Sequence, residues 1–165
     1  MGQLNLFADV VAETSAVLHT KQILNLVSLK MVKESSVLYD TQSIGSPKDA
    51  YAVVRKILED ADREMFLVMA LDVKNRPINI QICHIGSLNA SIVHPREVFK
   101  MAILSNAASI MVFHNHPSGL TNPSSEDIEV TRRLEEAGRI IGVELLDHLI
   151  IGENDYLSLK DKGYV

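Results

Sequence analysis

The sequence predicts an α/β domain, a mixed sheet flanked by helices, and three observations carry that prediction. Helix starts led by proline recur, at Ser46-Pro47, His94-Pro95 and Pro123-Ser124. Short apolar runs that suit strands alternate with them: MFLVMALDV, RPINIQICHIG and ASIMVF. The composition is 47% apolar and 22% charged over 165 residues, ordinary for one domain with a real core.

Along the chain, residues 4–27 carry apolar residues at mixed spacing and read as a loose arm or short helix. Residues 28–39, SLKMVKESSVLY, read as a strand, with Leu29, Met31 and Val37 apolar. Ser46-Pro47-Lys48-Asp49 then opens a helix. Ser can cap, Pro suits the first helical position and Asp the first turn. Tyr51, Val54, Ile57, Leu58 and Ala61 follow at helical spacing. MFLVMALDV and RPINIQICHIG come next, joined across Lys74-Asn75-Arg76 in hairpin fashion. His94-Pro95-Arg96-Glu97 starts a second helix, over about 95–106, with His94 as its cap. ASIMVF is a fully apolar strand. Pro123-Ser124-Ser125-Glu126-Asp127 starts a third helix, which runs to about Ala137. VELLDHLIIG and DYLSL form a final hairpin across Glu153-Asn154.

Several classes are disfavoured. The longest uninterrupted apolar runs are about seven residues, against the roughly 20 that span a bilayer. No basic residue precedes Lys21, so the N-terminus reads as no secretory signal, and Leu6 breaks the myristoylation pattern. The sequon Asn89-Ala90-Ser91 is then a chance match. One cysteine, Cys83, excludes an internal disulfide and a multi-Cys metal site, and cytoplasmic location is the default. A net charge of −5 gives sequence-independent nucleic-acid binding no help.

The stretch MVFHNHPSG needs a specific explanation. Side chains at i and i+2 of a strand point to the same side, so His114 and His116 aim together while Asn115 aims away. Pro117-Ser118-Gly119 breaks the strand, so the pair lies where a site can open. Two converging imidazoles there need a metal, an acid or a phosphate. Eleven residues past His116 lies Asp127, in the first turn of the third helix. Folded back, it makes three ligands with a fourth position left for water, as in catalytic zinc. Zinc lowers the pKa of such a water to about 7. Ser124-x-x-Asp127 alone reads as a capping box. A cap does not explain the paired histidines, and the joint pattern is far more specific than either half.

HNHPSGLTNPSSED resembles the JAMM metal motif of the JAB, or MPN, metallopeptidases, and is most similar to their RadC-like branch. SPKDAYAVVRKIL, REMFLVMALDVKNRPI, HPREVFKMAILSNAASIMVFHNHPSG, LLDHLIIG and DKGYV support the resemblance. It covers residues 43–165. Residues 1–42, the arm or short helix plus strand, fall outside it. Longer RadC proteins carry an N-terminal region like a helix-hairpin-helix, and none is read here, which suggests the shorter, stand-alone form. The resemblance implies a single-domain three-layer JAB/MPN fold, similar to that of cytidine deaminases. It implies Zn2+ on His114, His116 and Asp127, Ser124 as donor to the developing oxyanion, and Glu64 as general base. Without the resemblance, Glu64 would read as a solvated charge before a strand. Glu97, Glu126 and Glu129 are its rivals, although Glu126 projects about 100° around the helix from Asp127.

Other residues point less clearly. Asp147-His148 also matches the RadC-like pattern. As strand neighbours they face opposite sides, so both cannot reach one site, and supporting the site or the hairpin are the two readings. Cys83-His84 reads as core and edge, and His19 as surface. The implied activity is zinc-dependent hydrolysis of peptide or isopeptide bonds. The implied partner is a peptide or protein substrate, ubiquitin-like proteins included, with no membrane and no direct nucleic-acid ligand. The arm could pair two copies as a homodimer. The DNA-repair association is carried by the family name alone, and a metal-dependent nuclease gains nothing from the acidic balance. The alternative is a non-enzymatic MPN scaffold or DNA-processing accessory protein, against which the full ligand set argues. A zinc deaminase would need H-x-E with P-C-x-x-C, which one cysteine cannot supply.

Overall fold

The computed structural model describes residues 22–58, 61–86 and 93–165. The chain divides into two units, residues 1–30 and 31–165. The described part of the first, 22–30, has no regular structure, and the helices and strands lie in the second unit.

Among the described residues, three helices and five strands follow one another. They are α1 (Pro47–Leu58), β1 (Met65–Leu71), β2 (Pro77–Ile85), α2 (Pro95–Leu104), β3 (Ser109–Asn115), α3 (Ser125–Ile141), β4 (Glu144–Ile151) and β5 (Tyr156–Ser158). The sheet order is β2-β1-β3-β4-β5. The β3–β4 pair is parallel and the others antiparallel, so the sheet is mixed, with α3 as the crossover between the parallel strands. Alternation divides the core into two. Phe66, Val68, Ala70, Ile110 and Val112 pack on α2 and α3 through Val98, Phe99, Val130 and Leu134. Leu67, Met69, Leu71, Met111 and Phe113 pack on α1 through Ala50, Val53, Val54 and Leu58. This is the three-layer α/β arrangement expected, and it places the His114 row and the Asn115 row on opposite faces.

Local signals act as read at most boundaries. His94 caps α2, its Nδ1 accepting from Arg96 N at 3.2 Å. The β1–β2 turn is closed by Asp72 Oδ1, which accepts from Lys74 N (2.8 Å) and Arg76 N (3.0 Å), with Asn75 at φ 55°. Gly142, at φ 81°, closes α3.

Some expectations need correction. Residues 28–39 form no strand: the segment from 22 to 39 has neither helix nor strand, with Leu29, Val32 and Leu38 exposed. A strand needs a partner for its backbone, and none among the described residues pairs with it. The third helix passes Ala137 and ends at Ile141. Gly138 lies inside it because a Cβ there would stand 2.5 Å from Val143 O and 3.1 Å from the Phe99 ring. Close packing, not a helix stop, explains that glycine. The second helix ends at Leu104, short of 106, where Asn106 turns to φ 50°. The first apolar run leaves the sheet at Leu71, and Val73 is exposed in the turn. Residues 4–21, His19 and Asn89-Ala90-Ser91 lie outside the described residues.

Candidate metal centre

The site lies where β3 ends beside the start of β1 and the N-terminus of α3. In β3 the side chains alternate, so His114 follows Ile110 and Val112 onto the face covered by α2 and α3. His116, one residue past the strand, is held by its backbone N–H to Ile151 O at 3.0 Å. Its Nδ1 lies 2.8 Å from Leu120 O. A carbonyl only accepts, so Nδ1 carries the proton, and neutral His116 presents a bare Nε2. Gly152 allows the loop that carries Leu120 to lie this close, since a Cβ there would meet Gly119 O at 2.5 Å.

Asp127 arrives from the first turn of α3. The capping box is complete: Ser124 Oγ accepts from Asp127 N (3.1 Å), and Asp127 Oδ2 accepts from Ser124 N (2.7 Å). Its other oxygen, Oδ1, lies 3.2 Å from His114 Nε2, and Oδ2 lies 3.6 Å from His116 Nε2. The two Nε2 atoms are 3.0 Å apart. A tetrahedral set about 2.0–2.1 Å from one centre has edges of about 3.3–3.4 Å. The two imidazole nitrogens stand near that spacing, but Asp127 meets them with different oxygens, Oδ1 towards His114 and Oδ2 towards His116, and the residues whose ligand atoms all lie within 4.8 Å of one another are Glu64, His114 and His116.

The protonation pattern fits as well. Thr131 Oγ1 touches Asp127 O at 2.6 Å and His148 Nδ1 at 2.6 Å. The hydroxyl has one proton, and the carbonyl can only accept it, so Thr131 accepts from His148 Nδ1–H. His148 is buried, and burial holds its pKa well below the ordinary histidine value, so it is neutral and its Nε2 is an acceptor. His114 Nδ1, 2.8 Å away, therefore donates to it and leaves Nε2 bare. Two lone pairs and a carboxylate then converge, and only a shared proton or a cation relieves their repulsion. Burial opposes the charge on Asp127, but a proton shared with the facing Nε2 atoms is donated to its carboxylate, and that hydrogen bonding, from His114 first and then His116, prevails and holds the carboxyl far below the carboxylate range. The Asp127 hydrogen bond, against burial, raises the pKa of His116.

Glu64 completes the group. Continuing the β1–β3 register, in which Phe66 pairs with His114, sets residue 64 across from His116. Ligand atoms of Glu64, His114 and His116 lie within 4.8 Å of one another. Of its rivals, Glu97 is ion-paired to Lys100 at 2.7 Å on the surface, and Glu126 and Glu129 are exposed on α3. Ser124 is also exposed, at the N-cap of α3 beside Asp127.

Asp147 does not join the centre. It is buried and accepts from Ser158 Oγ (2.6 Å), His148 N (2.7 Å) and Lys160 N (3.1 Å), tying β4 to the C-terminal turn. Cys83 packs against the core, where burial pushes its thiol up to about 12. Sequence reasoning passed over Thr131. Its signal was its place four residues after Asp127, on the same helix face.

A mixed sheet that presents a His-x-His strand end to a capped helix start defines a JAB/MPN domain. The sequence model of the RadC-like JAB domain matches residues 44–164, and the chain belongs to that family. A UPF0758 protein of Methanosarcina acetivorans is 47% identical over 144 residues, 87% of this chain and 63% of the relative. Those of Geobacillus thermodenitrificans (51% over 144 residues, 87% and 64%) and Listeria monocytogenes (48% over 141 residues, 84% and 63%) are similar. The chain thus spans less than two thirds of the length of these curated relatives. Among the described residues no helix is long and apolar enough to cross a membrane.

Proposed function

We propose that this protein is a zinc-dependent hydrolase of peptide or isopeptide bonds that works in the cytoplasm on a peptide or protein substrate, ubiquitin-like proteins included. One observation carries the reading: two bare imidazole nitrogens and a carboxylate converge at 3.0–3.6 Å with a second carboxylate, Glu64, beside them. His114, His116 and Asp127 would hold the metal. Zinc bound there supplies Lewis acidity, polarising a carbonyl and making water a nucleophile at neutral pH.

The chain's own residues do the rest. Glu64 takes the proton of the attacking water and delivers it to the leaving amine. The Ser124 hydroxyl already accepts from Asp127 N, which leaves its own proton to donate to the oxyanion. Half-burial of Glu64 and burial of His114 and Asp127 strengthen these interactions by thinning the water around them.

Cleavage of a peptide library and of an isopeptide-linked library by zinc-loaded protein tests the reading, with a chelated sample as control. Chelator-sensitive cleavage of either is expected. Stoichiometric zinc with no cleavage of either library would favour the scaffold reading, and absence of bound zinc after resupply would remove the metal centre itself.

A further inference from the structure

Asn115 is the residue that a metal centre on His114 and His116 leaves unexplained. Strand alternation turns it to the other face, and there it is 7% exposed. A buried amide requires partners for its acceptor and its donor. Its Oδ1 accepts from Met65 N at 2.8 Å, and its Nδ2 donates to Arg63 O at 3.1 Å. These two backbone groups flank Glu64. The carbonyl of Glu64 itself accepts from Gly86 N at 2.8 Å.

We infer that Asn115 is a positioning residue for Glu64, clamping the backbone on both sides of it so that its carboxylate is held at the metal centre. The inference rests on the reading of Glu64 as the proton carrier. The clamp matters because β1 begins only at Met65, so Glu64 precedes the regular pairing of its own strand. Asn is suited to the task. It offers an acceptor and a donor on one short stem, whereas an ionised Asp accepts only. The clamp and the two candidate ligands occupy three consecutive residues, so any shift of the strand end carries ligands and base together. A catalytic group must hold its place to about 0.5 Å, and this arrangement supplies such coupling.

The test uses the full chain and two readouts. Exchange of the Met65 amide in the metal-free protein reports the clamp. In Asn115→Ala it should quicken about tenfold, the value of one hydrogen bond. In protein loaded with Co2+, the pseudocontact shift of a 13C-labelled Glu64 carboxyl reports its place relative to the metal. Asn115→Ala should change or broaden that shift, while the resonances of His114 and His116 stay near wild type. Asn115→Asp, of the same shape, keeps the acceptor for Met65 N but loses the donor to Arg63 O, so it should leave Met65 exchange near wild type while still changing the Glu64 shift, and it serves if the alanine variant fails to fold. An unchanged Met65 exchange rate in Asn115→Ala, or an unchanged Glu64 shift in either variant, overturns the inference. A wild-type Glu64 carboxyl with no sizeable pseudocontact shift would instead remove the reading of Glu64 at the metal, and the inference with it.

Discussion

His114 Nδ1 and His148 Nε2 stand 2.8 Å apart in the core, and through this contact a helix hydroxyl fixes the tautomer of a candidate metal ligand. The chain runs from His114 through His148 and Thr131 to the carbonyl of Asp127, so two of the three candidate ligands share one hydrogen-bond line. Orienting partners of this kind commonly change metal affinity 10- to 100-fold. Thr131→Val keeps the shape but leaves His148 Nδ1–H unpaired. We expect a loss of about 1–3 kcal/mol in denaturant unfolding of the metal-free protein. We also expect zinc affinity, read by chelator competition, to fall about 10- to 100-fold. A variant as tight and as stable as wild type would sever the relay from the site.

The stabilisation given by zinc should grow between pH 6 and pH 8. The folded pKa of His116 is raised above 6.5, first by its hydrogen bond to Asp127. Its contribution to the metal-free fold is therefore fully present below 6.5 and is lost as pH rises through the raised value. Over the same interval the proton that competes for Nε2 leaves, so zinc binds more tightly. Asp127 works the other way: its pKa is depressed below 3.8, so its contribution is present above that value and is lost only at lower pH. His148 has a lowered pKa, and its contribution is lost as pH falls below 6.5. It is buried in both forms and largely cancels in the difference. Melting curves with and without zinc at the two pH values check this, and a shift that shrinks towards pH 8 would contradict it.

Ser124→Ala separates two roles of one hydroxyl. Removal of the cap should cost about 1 kcal/mol of stability. Loss of an oxyanion donor should slow hydrolysis by about 10²–10³. Melting and turnover read these separately. Lowered stability with unchanged turnover would leave Ser124 as a cap alone.

Glu64→Gln keeps the size and most hydrogen bonding but removes the base. Hydrolysis should fall steeply while zinc affinity stays near wild type. Undiminished cleavage would move the base to another carboxylate. Loss of zinc would make Glu64 a ligand, which its place within 4.8 Å of both histidine nitrogens makes a direct alternative to test.

What the sequence determined by itself is local. The starts of α1, α2 and α3 follow from caps and prolines acting within one turn, and the shared direction of His114 and His116 follows from the period of a strand. The link from Ser124 to Asp127 spans three residues and was legible as a capping box. Tertiary structure decided the rest. Residues 28–39 carry a strand-like pattern, yet pairing depends on a partner that no local pattern specifies. Glu64 reaches the histidines only through the antiparallel β1–β3 register, across 50 residues of sequence. The relay through His148 needs β4 parallel to β3 and α3 laid over both. Caps and strand periods act between neighbours in the chain, whereas hydrogen bonds across the core depend on which strands lie side by side, and that is fixed only when the two halves of the core close together.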